Sequence, residues 1–342
     1  MPYPADGQWP PLRYVSKLSQ VQFVGARIAR PRLSRLSDEI YNKERKCFTM
    51  IKKNMDMCIA TFSIVGCDPA AEEVGVAVQS KFPAVGSTVP WGKGGVGAVA
   101  TQAWANGSYG LRGIELMEKG LSPEEVVNEL IRTDDERDVR QVGVVNVKGE
   151  SATYTGKDCT SWAGGIAGKN YAAQGNILAC AGVVSALSDT FVKTEGDLAS
   201  KLMESLVAAQ AAGGDSRGMQ SAALYIVKVG GGYGGLTDRL IDLRVDDHQN
   251  PIQELQRLLG LARFYFGRTK QENILKIEGG VKDFILKVMS EKGYFKGNMA
   301  AEWNQEMHDA FQSFSLTENY DERLAPFGLV DNEVVEFMRK SY

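Results

Sequence analysis

A threonine heads the first strongly strand-forming segment of the chain, TFSIVGCDP, which begins at Thr61. A threonine hydroxyl is a weak nucleophile until a base activates it. The sequence has only two histidines, His248 and His308, and neither lies near a nucleophile motif. If Thr61 becomes an amino terminus, its own α-amine, with an unperturbed pKa of about 7.7–8.0, supplies the base. The pattern favours this chemistry over a conventional triad, on condition that the chain begins at Thr61.

The segment before Thr61 differs from the rest in charge. Residues 1–60 carry a net charge of +6, whereas the remaining residues carry −9. We interpret residues 1–56 as a basic leader that is disordered or belongs to a mispredicted start, with three methionines as other starts: Met50, Met55 and Met57. A start at Met57, followed by loss of that methionine, makes Cys58 a terminal thiol and an alternative nucleophile.

Other polar residues stand where predicted strands end. Lys81 follows the second strand, where its charge lowers the pKa of a nearby amine; the alternative is a solvated lysine. Gln102 and Asn106 end the third strand and offer amide donors for an oxyanion, or else cap the next helix. Asn176 offers the same donor from the adjacent sheet.

The run Asp246-Asp247-His248 has the ligand types that bind a divalent ion. Three consecutive strand residues cannot all face one ion, because side chains alternate between the two faces. We therefore expect loop hydrogen bonds here, with no metal and no cofactor. A metal-dependent hydrolase centred on His248 is kept as an alternative that elemental analysis tests.

The elements that must position these residues follow in a clear order. TFSIV and EVGVAVQS predict a hairpin, and GVGAVATQAW predicts a third strand. Two helices follow, the second with a capping box of Ser122 and Glu125 and with Pro123 at its first position. RQVGVVNV and SATYTG predict a second hairpin, and YAAQGNIL another strand. Helices are expected at 183–193 and 197–211, and SAALYIVKV is expected to be the last strand.

Helices that come in pairs between groups of strands disfavour a doubly wound sheet or an alternating barrel. They fit an α+β fold with a four-layer α/β/β/α sandwich. The glycines of GGVGAVA lack the following helix and acidic residue of a dinucleotide site.

The tail, 270–342, predicts a separate small all-α domain of three helices. Asp331 is expected to cap the last helix, which ends near Lys340. Two apolar stripes predict its core. They are Val281, Phe284, Ile285, Val288 and Met289 in one helix, and Trp303, Met307, Phe311 and Phe314 in the next.

Six motifs carry a family resemblance: TFSIVGCDP, GVAVQSKFPAVGSTVPW, GVGAVATQAWAN, AAQGNIL, QAAGGDSRGMQSAAL and GGGYGGLTDRLIDLRVDDH. Together, over residues 61 to about 267, they resemble the domain-of-unknown-function family numbered ten twenty-eight. That resemblance implies membership of the N-terminal-nucleophile (Ntn) hydrolase superfamily. The tail is similar to a peptidoglycan-binding module often attached to this family, through EKGYFKG, AFQSF, ENYDERL and GLVDNEVVEFMR.

The resemblance implies that Thr61 is the catalytic nucleophile and that Asp215 lies near its amine. Asp215 and Arg217 lie in GGDSRG, between a helix and a strand, and the alternative is a pair that ties this loop. The resulting domain assignment is 1–56 for the leader, 57–267 for an Ntn-hydrolase-like domain and 270–342 for the tail.

The overall composition excludes several classes of protein. A net charge of −3 gives no sign of nucleic-acid or membrane-surface binding. Five scattered cysteines without a CxxC motif fit neither a disulfide framework nor a zinc site. No run approaches the ~18 apolar residues of a membrane span, and no secretory signal is visible, so we expect a cytoplasmic location.

The resulting hypothesis is an Ntn-type amidohydrolase that acts on a small amide or peptide, with the tail pointing to a cell-wall-derived substrate. The alternative is a non-enzymatic binding or assembly protein that keeps the same scaffold, since one fold hosts many functions. The sequence leaves open which of the two is correct. A homodimer is expected in either case.

Overall fold

The computed structural model describes residues 61–342, in which twelve strands and eight α-helices form a mixed α/β protein. None of these helices is both long enough and apolar enough to cross a bilayer. Strands β1 to β12 are Thr61–Asp68, Glu73–Ser80, Pro90–Lys93, Gly97–Ala103, Arg140–Asn146, Ser151–Thr155, Gly164–Gly168, Tyr171–Asn176, Ser221–Val227, Arg239–Val245, Ile274–Lys276 and Leu329–Asp331. Helices α1 to α8 are Ser108–Glu118, Pro123–Arg132, Gly182–Lys193, Leu198–Ala211, Pro251–Phe266, Gly279–Glu291, Gln305–Thr317 and Asn332–Ser341.

The first ten strands form two antiparallel sheets. The main sheet has the order β10-β9-β2-β1-β8-β7, and the second sheet has the order β3-β4-β5-β6. β1 lies inside the main sheet between β2 and β8, with Thr61 opposite Ser80 on one side and Asn176 on the other. The predicted hairpins β1–β2 and β5–β6 are confirmed.

Three apolar clusters hold these elements together. One cluster lies between the two sheets and includes Val65, Val76 and Ala100. Another joins the second sheet to α1 and α2. The largest joins the main sheet to α3, α4 and α5 through residues such as Phe62 and Leu202. Alternation along β1 explains this division, since Phe62 and Val65 point to opposite faces of the sheet.

Local sequence signals set several helix ends. Ser122 caps α2 in the predicted box, accepting from the backbone of Glu125 while the Glu125 carboxylate accepts from the Ser122 backbone. The predicted helices 183–193 and 197–211 differ from α3 and α4 by one residue at the amino end. After α4 the chain turns through Gly213, whose φ of 120° is readily adopted only by glycine.

Some elements were not predicted. β3, β7, β10 and α5 have no counterpart in the sequence-based assignment, and SAALYIVKV is not the last strand of this part, because β10 follows it. β7 has the sequence GGIAG, which has low strand propensity. β10 is an edge strand, and its RLIDLRV mixes charged and apolar residues because much of it faces solvent.

The tail has its own apolar core around α6, α7 and α8, and residues of both predicted stripes pack in it. Asp331 caps α8 as predicted, with its side chain accepting from the backbone of Glu333. The expectation of an all-α tail was wrong, since β11 and β12 pair as a small antiparallel sheet. Both strands are only three residues long, too short for a recognisable alternation.

A buried arginine joins the tail to the end of α5. Arg323 is 5% exposed and donates to the carbonyl oxygens of Phe264 (2.6 Å) and Arg263 (3.0 Å). It also pairs with Asp331 and Glu333, each at 2.8 Å. Phe264 itself belongs to the apolar core of the tail. The tail is therefore packed directly onto α5.

Candidate functional site

Four buried polar residues form a row across the main sheet. Ser221, Ser80, Thr61 and Asn176 are paired with one another in register on β9, β2, β1 and β8. Each of them is 0% exposed. Directly opposed residues in antiparallel strands share one face. We call these four residues the polar row.

The polar row faces the second sheet. Ser63, on the same face of β1 as Thr61, donates from Oγ to Gln102 Oε1 of β4 at 2.6 Å. Gln102 Nε2 in turn donates to the backbone oxygen of Thr61 at 3.3 Å. The first residue of β1 is thus held from across the space between the sheets.

Thr61 lies at the centre of this arrangement. Its Oγ1 donates to Ser80 Oγ at 3.2 Å. In the uncleaved chain its nitrogen is bonded to Ala60, and the lone pair of a peptide nitrogen is delocalised into the carbonyl group. The nitrogen becomes basic only when that bond is cut. Ala60 and Cys58, together with the alternative start methionines, lie outside the described residues.

Three buried glutamines surround the row. Gln174 Nε2 donates to Ser63 Oγ at 2.7 Å, and Gln102 Nε2 donates to Gln141 Oε1 at 2.8 Å. Asn176 Nδ2 donates to the same Gln141 oxygen at 3.0 Å. All of these side chains are 0% exposed. Buried polar networks of this kind are costly unless their members find partners.

Two backbone positions beside the network have unusual dihedral angles. Ala103 follows Gln102 with φ 63°, and Ile177 follows Asn176 with φ 51°. A positive φ is a marked outlier for a β-branched residue, and such strain costs on the order of 1–3 kcal/mol. Strained residues of this type cluster at functional sites. Here they directly follow two amides that both donate to Gln141 Oε1.

Asp215 reaches the end of β2. Its Oδ2 accepts from the backbone of Lys81 at 3.1 Å, and the carboxylate pairs with Arg217 at 2.9 Å. Its Oδ1 accepts from the backbone nitrogen of Arg217 at 2.9 Å. These contacts correspond to the loop-tying alternative, and they also fix the strand end that carries Ser80.

Lys81 itself points out of the protein. Its Nζ donates to the carbonyl oxygen of Met219 at 3.2 Å, and the side chain is exposed. It lines an open groove of ≈ 520 Å³ together with Gln220 and His248. Gln220 N donates to the backbone oxygen of Ser80 at 3.0 Å, so this groove lies beside one end of the polar row.

Asn106 is engaged elsewhere. Its Nδ2 donates to Asp134 Oδ2 at 3.0 Å, and its Oδ1 accepts from the backbone of Ser108 at the start of α1. Burial opposes ionisation of Asp134, but hydrogen bonds from Asn106 and Arg140 outweigh it and lower the Asp134 pKa to about 2. Asn106 therefore contacts the first residue of α1, close to the capping role that the sequence analysis gave as the alternative, while Gly107 is the N-cap residue.

The Asp246-Asp247-His248 run makes loop contacts. His248 Nδ1 accepts from the backbone of Asn250 at 3.0 Å, and Asp247 accepts from Gln220 at 3.2 Å. Within residues 61–342, no three His, Cys, Asp or Glu side chains are grouped so as to hold a metal ion.

The sequence analysis named Thr61, Gln102 and Asn176, and the structure brings these three together. It missed Ser63, Gln141 and Gln174, which complete the network. A usable signal existed, because each of them is a polar residue inside a strand whose other residues are buried and mostly apolar.

Comparisons with known proteins identify two families. A family of unknown function, DUF1028, matches residues 61–255, and a family whose description proposes peptidoglycan binding matches residues 265–338. The crystal structure of a Silicibacter pomeroyi protein assigned to DUF1028 is 27% identical with a TM-score of 0.55, over 66% of this chain and 89% of that one. No curated protein matches the chain significantly. Since the DUF1028 model spans more than half of the sequence, the chain belongs to this family.

Proposed function

We propose that residues 61–255 form an Ntn-type four-layer sandwich that hydrolyses an amide bond, with Thr61 as nucleophile once it is the amino terminus. The packing supports the layer order: α1 and α2 cover the second sheet, and α3 to α5 cover the main sheet. The apolar cluster between the two sheets supplies the middle contact.

The polar row is the observation that carries this proposal. Thr61 heads an interior strand, and Ser80 and Asn176 stand directly opposite it. An ordinary sandwich core needs no hydroxyl or amide at these positions, because buried polar groups without a role are a net cost. The polar row and the neighbouring strain fit a site that is preorganised around one residue.

The proposed reaction begins with attack of Thr61 Oγ on the substrate carbonyl carbon. The freed α-amine takes the hydroxyl proton and later delivers it to the leaving nitrogen, so that the C–N bond breaks and an ester to Oγ remains. Water, deprotonated by the same amine, then cleaves that ester. The carboxylic acid leaves, and Oγ regains its proton. The proposed substrate is a small amide or peptide, and the match of the tail makes a cell-wall-derived one our first choice.

A fusion protein whose cleavage leaves Thr61 as the first residue tests this reaction. We expect it to release amine from members of a panel of acyl amides and cell-wall peptides, with an acyl adduct on Thr61 by mass spectrometry. Thr61→Ala should lower turnover at least ~10³-fold, because the covalent step is lost. Thr61→Ser, which keeps a hydroxyl, is the matched control. Equal turnover by the Thr61→Ala variant would contradict the proposal.

A second function is favoured by the burial of Thr61, which is 0% exposed and donates to Ser80. In a binding or assembly protein on this scaffold, that hydroxyl has a structural role only. Intact mass of protein made from its natural start distinguishes the two candidates. A chain that begins at Thr61 supports the hydrolase, whereas a chain that keeps Ala60 and stays inert after trimming supports the binding protein. Light scattering tests the proposed homodimer in either case.

A further inference from the structure

The orientation of the Asn176 side chain is determined by a chain of contacts that starts at the backbone. Gln141 Nε2 donates to the carbonyl oxygens of Gly175 (2.8 Å) and Gly164 (3.3 Å). Carbonyl oxygens only accept, so the NH₂ end of Gln141 must face them. The oxygen end, Oε1, therefore faces the other way, where it meets Gln102 Nε2 and Asn176 Nδ2.

This contact leaves Asn176 with one unused group. Because its Nδ2 must face Gln141 Oε1, its Oδ1 points away, and this oxygen is buried without a hydrogen-bond partner. Rotating the amide by 180° would place two oxygens against each other. A buried acceptor without a donor costs on the order of 1–3 kcal/mol. An unpaired acceptor whose orientation is fixed by a second residue is expected where a bound ligand supplies the donor.

The unused acceptor lies on the residue directly opposite Thr61. Opposed side chains have Cβ atoms about 4.5–5.5 Å apart. A carbonyl carbon placed for attack lies about 3–3.5 Å from the nucleophile. The amide nitrogen is bonded to that carbon at about 1.33 Å. The N–H of an amide bound to Thr61 therefore falls within reach of Asn176 Oδ1.

We propose that Asn176 Oδ1 accepts the N–H of the scissile amide, and that Gln141 is the positioning residue that keeps this oxygen turned toward the substrate. This inference rests on the proposed function and narrows its substrate class. Substrates are amides that carry hydrogen on the scissile nitrogen, and N,N-disubstituted amides are excluded.

The donor is a neutral N–H and not an ammonium group. Apart from the freed Thr61 amine, which the proposed reaction uses as its base, the polar row contains only hydroxyls and an amide, and the carboxylate of Asp215 is paired with Arg217. A substrate ammonium beside that amine would add a second positive charge without a carboxylate to pair with, which is disfavoured. This inference reverses the role expected for Asn176 from the sequence, which was that of an oxyanion donor.

The test compares each amide that the Thr61-initiated chain hydrolyses with its N-methyl analogue, in which methyl replaces every hydrogen on the scissile nitrogen. We expect kcat/KM to favour the N–H amide by about 10⁴-fold, the preference of sites built around a substrate N–H. Asn176→Leu should reduce this ratio to about tenfold or less. Gln141→Glu should also reduce it, since Glu cannot donate to Gly175. A ratio of substrates does not depend on the amount of folded protein.

Gln174→Glu is the matched control. It also removes a buried amide donor, here to Ser63, but Gln174 has no hydrogen bond to Asn176. It should keep the substrate ratio even if turnover falls. Equal use of the N–H and N-methyl amides overturns the inference. So does an Asn176→Leu variant that shifts the pH profile but keeps the ratio, because the freed Thr61 amine would then be the donor.

A binding measurement separates this inference from the proposed hydrolysis. Benzamide and N,N-dimethylbenzamide are titrated by NMR into the Thr61-initiated chain and into its Asn176→Leu variant. We expect binding of benzamide alone, and its loss in the variant. No preference for benzamide overturns the inference whether or not hydrolysis is found. A clear preference without any hydrolysis overturns the proposed function and keeps the acceptor site.

Discussion

The space between the two sheets has two ends that differ in chemistry, although the same strands build both. At one end of β1 the inward residues are Thr61 and Ser63, and at the other they are Val65 and Cys67. All four are at most 3% exposed. The apolar end is an ordinary core. The polar end contains groups that a core of equal volume would omit, which is how a site differs from a structural interior.

The two ends also differ in how they accommodate buried polar side chains. At the apolar end, burial raises the pKa of the Cys67 thiol to about 12, so this thiol stays protonated and unreactive at neutral pH. At the polar end, each amide finds donors or acceptors among its neighbours, except for the one oxygen of Asn176. Partners are therefore what allows polar side chains to remain buried there.

The largest change expected at the polar end comes from a single methyl group. A Cβ at Gly143 would overlap the side-chain amide of Gln174. We expect Gly143→Ala to lower the free energy of unfolding by about 3 kcal/mol, because a buried hydrogen-bonded side chain must move. Chemical denaturation measures this. Gly260→Ala is the control, since nothing lies within 4 Å of its added Cβ, and it should stabilise α5 by about 0.5–1 kcal/mol. Equal effects of the two substitutions would contradict the close packing of Gly143 against the Gln174 amide.

Acid should affect the polar end through Asp134. Its partners lie close to Gln102 and Gln141 in sequence, since Asn106 follows the end of β4 and Arg140 is the first residue of β5. Because the Asp134 pKa is lowered to about 2, its contribution to stability is present above pH ~4 and is lost as pH falls toward 2. The expected loss is about 2 kcal/mol. Unfolding curves across this range should show it, and Asp134→Asn should remove that part of the pH dependence. If Asp134→Asn left the pH dependence of the unfolding free energy unchanged, its attribution to Asp134 would be contradicted.

The smallest expected effect is that of one hydroxyl. Ser63 donates to Gln102 and accepts from Gln174, so Ser63→Ala leaves both amides short of a partner. We expect a loss of about 1–2 kcal/mol in thermal or chemical unfolding. Ser205→Ala is a matched control, because that buried hydroxyl only donates to the Lys201 carbonyl within its own helix. Similar losses in both variants would mean that the Ser63 hydroxyl contributes no more stability than a single hydroxyl hydrogen bond within a helix.

Elements with strong local signals were predictable from the sequence. Ser122 and Glu125 marked the start of α2, and two β-rich runs separated by an Asp-Pro turn marked β1 and β2. β7 and β10 were missed because they are edge strands, whose glycines or exposed charges hide the alternation. Their pairing is decided by neighbouring strands, which are distant in sequence.

The site was predictable only in part, for a similar reason. Thr61 and Asn176 stood out because they lie at strand ends. Gln141 lies far from both in sequence and reaches them only through the contact between the sheets. Asn106, like Gln102, was expected at the end of the third strand. The turn after β4 instead brings its side chain to Asp134. One residue type at a strand end does not specify which way its side chain points.

The salt-bridged Arg323 has a mechanical consequence. A loose linker between two domains absorbs tension before either domain is affected. In this protein the guanidinium holds the last carbonyls of α5, and Phe264 is embedded in the neighbouring core. A force applied to the tail would therefore be transmitted directly to α5, and through it to the outer face of the main sheet.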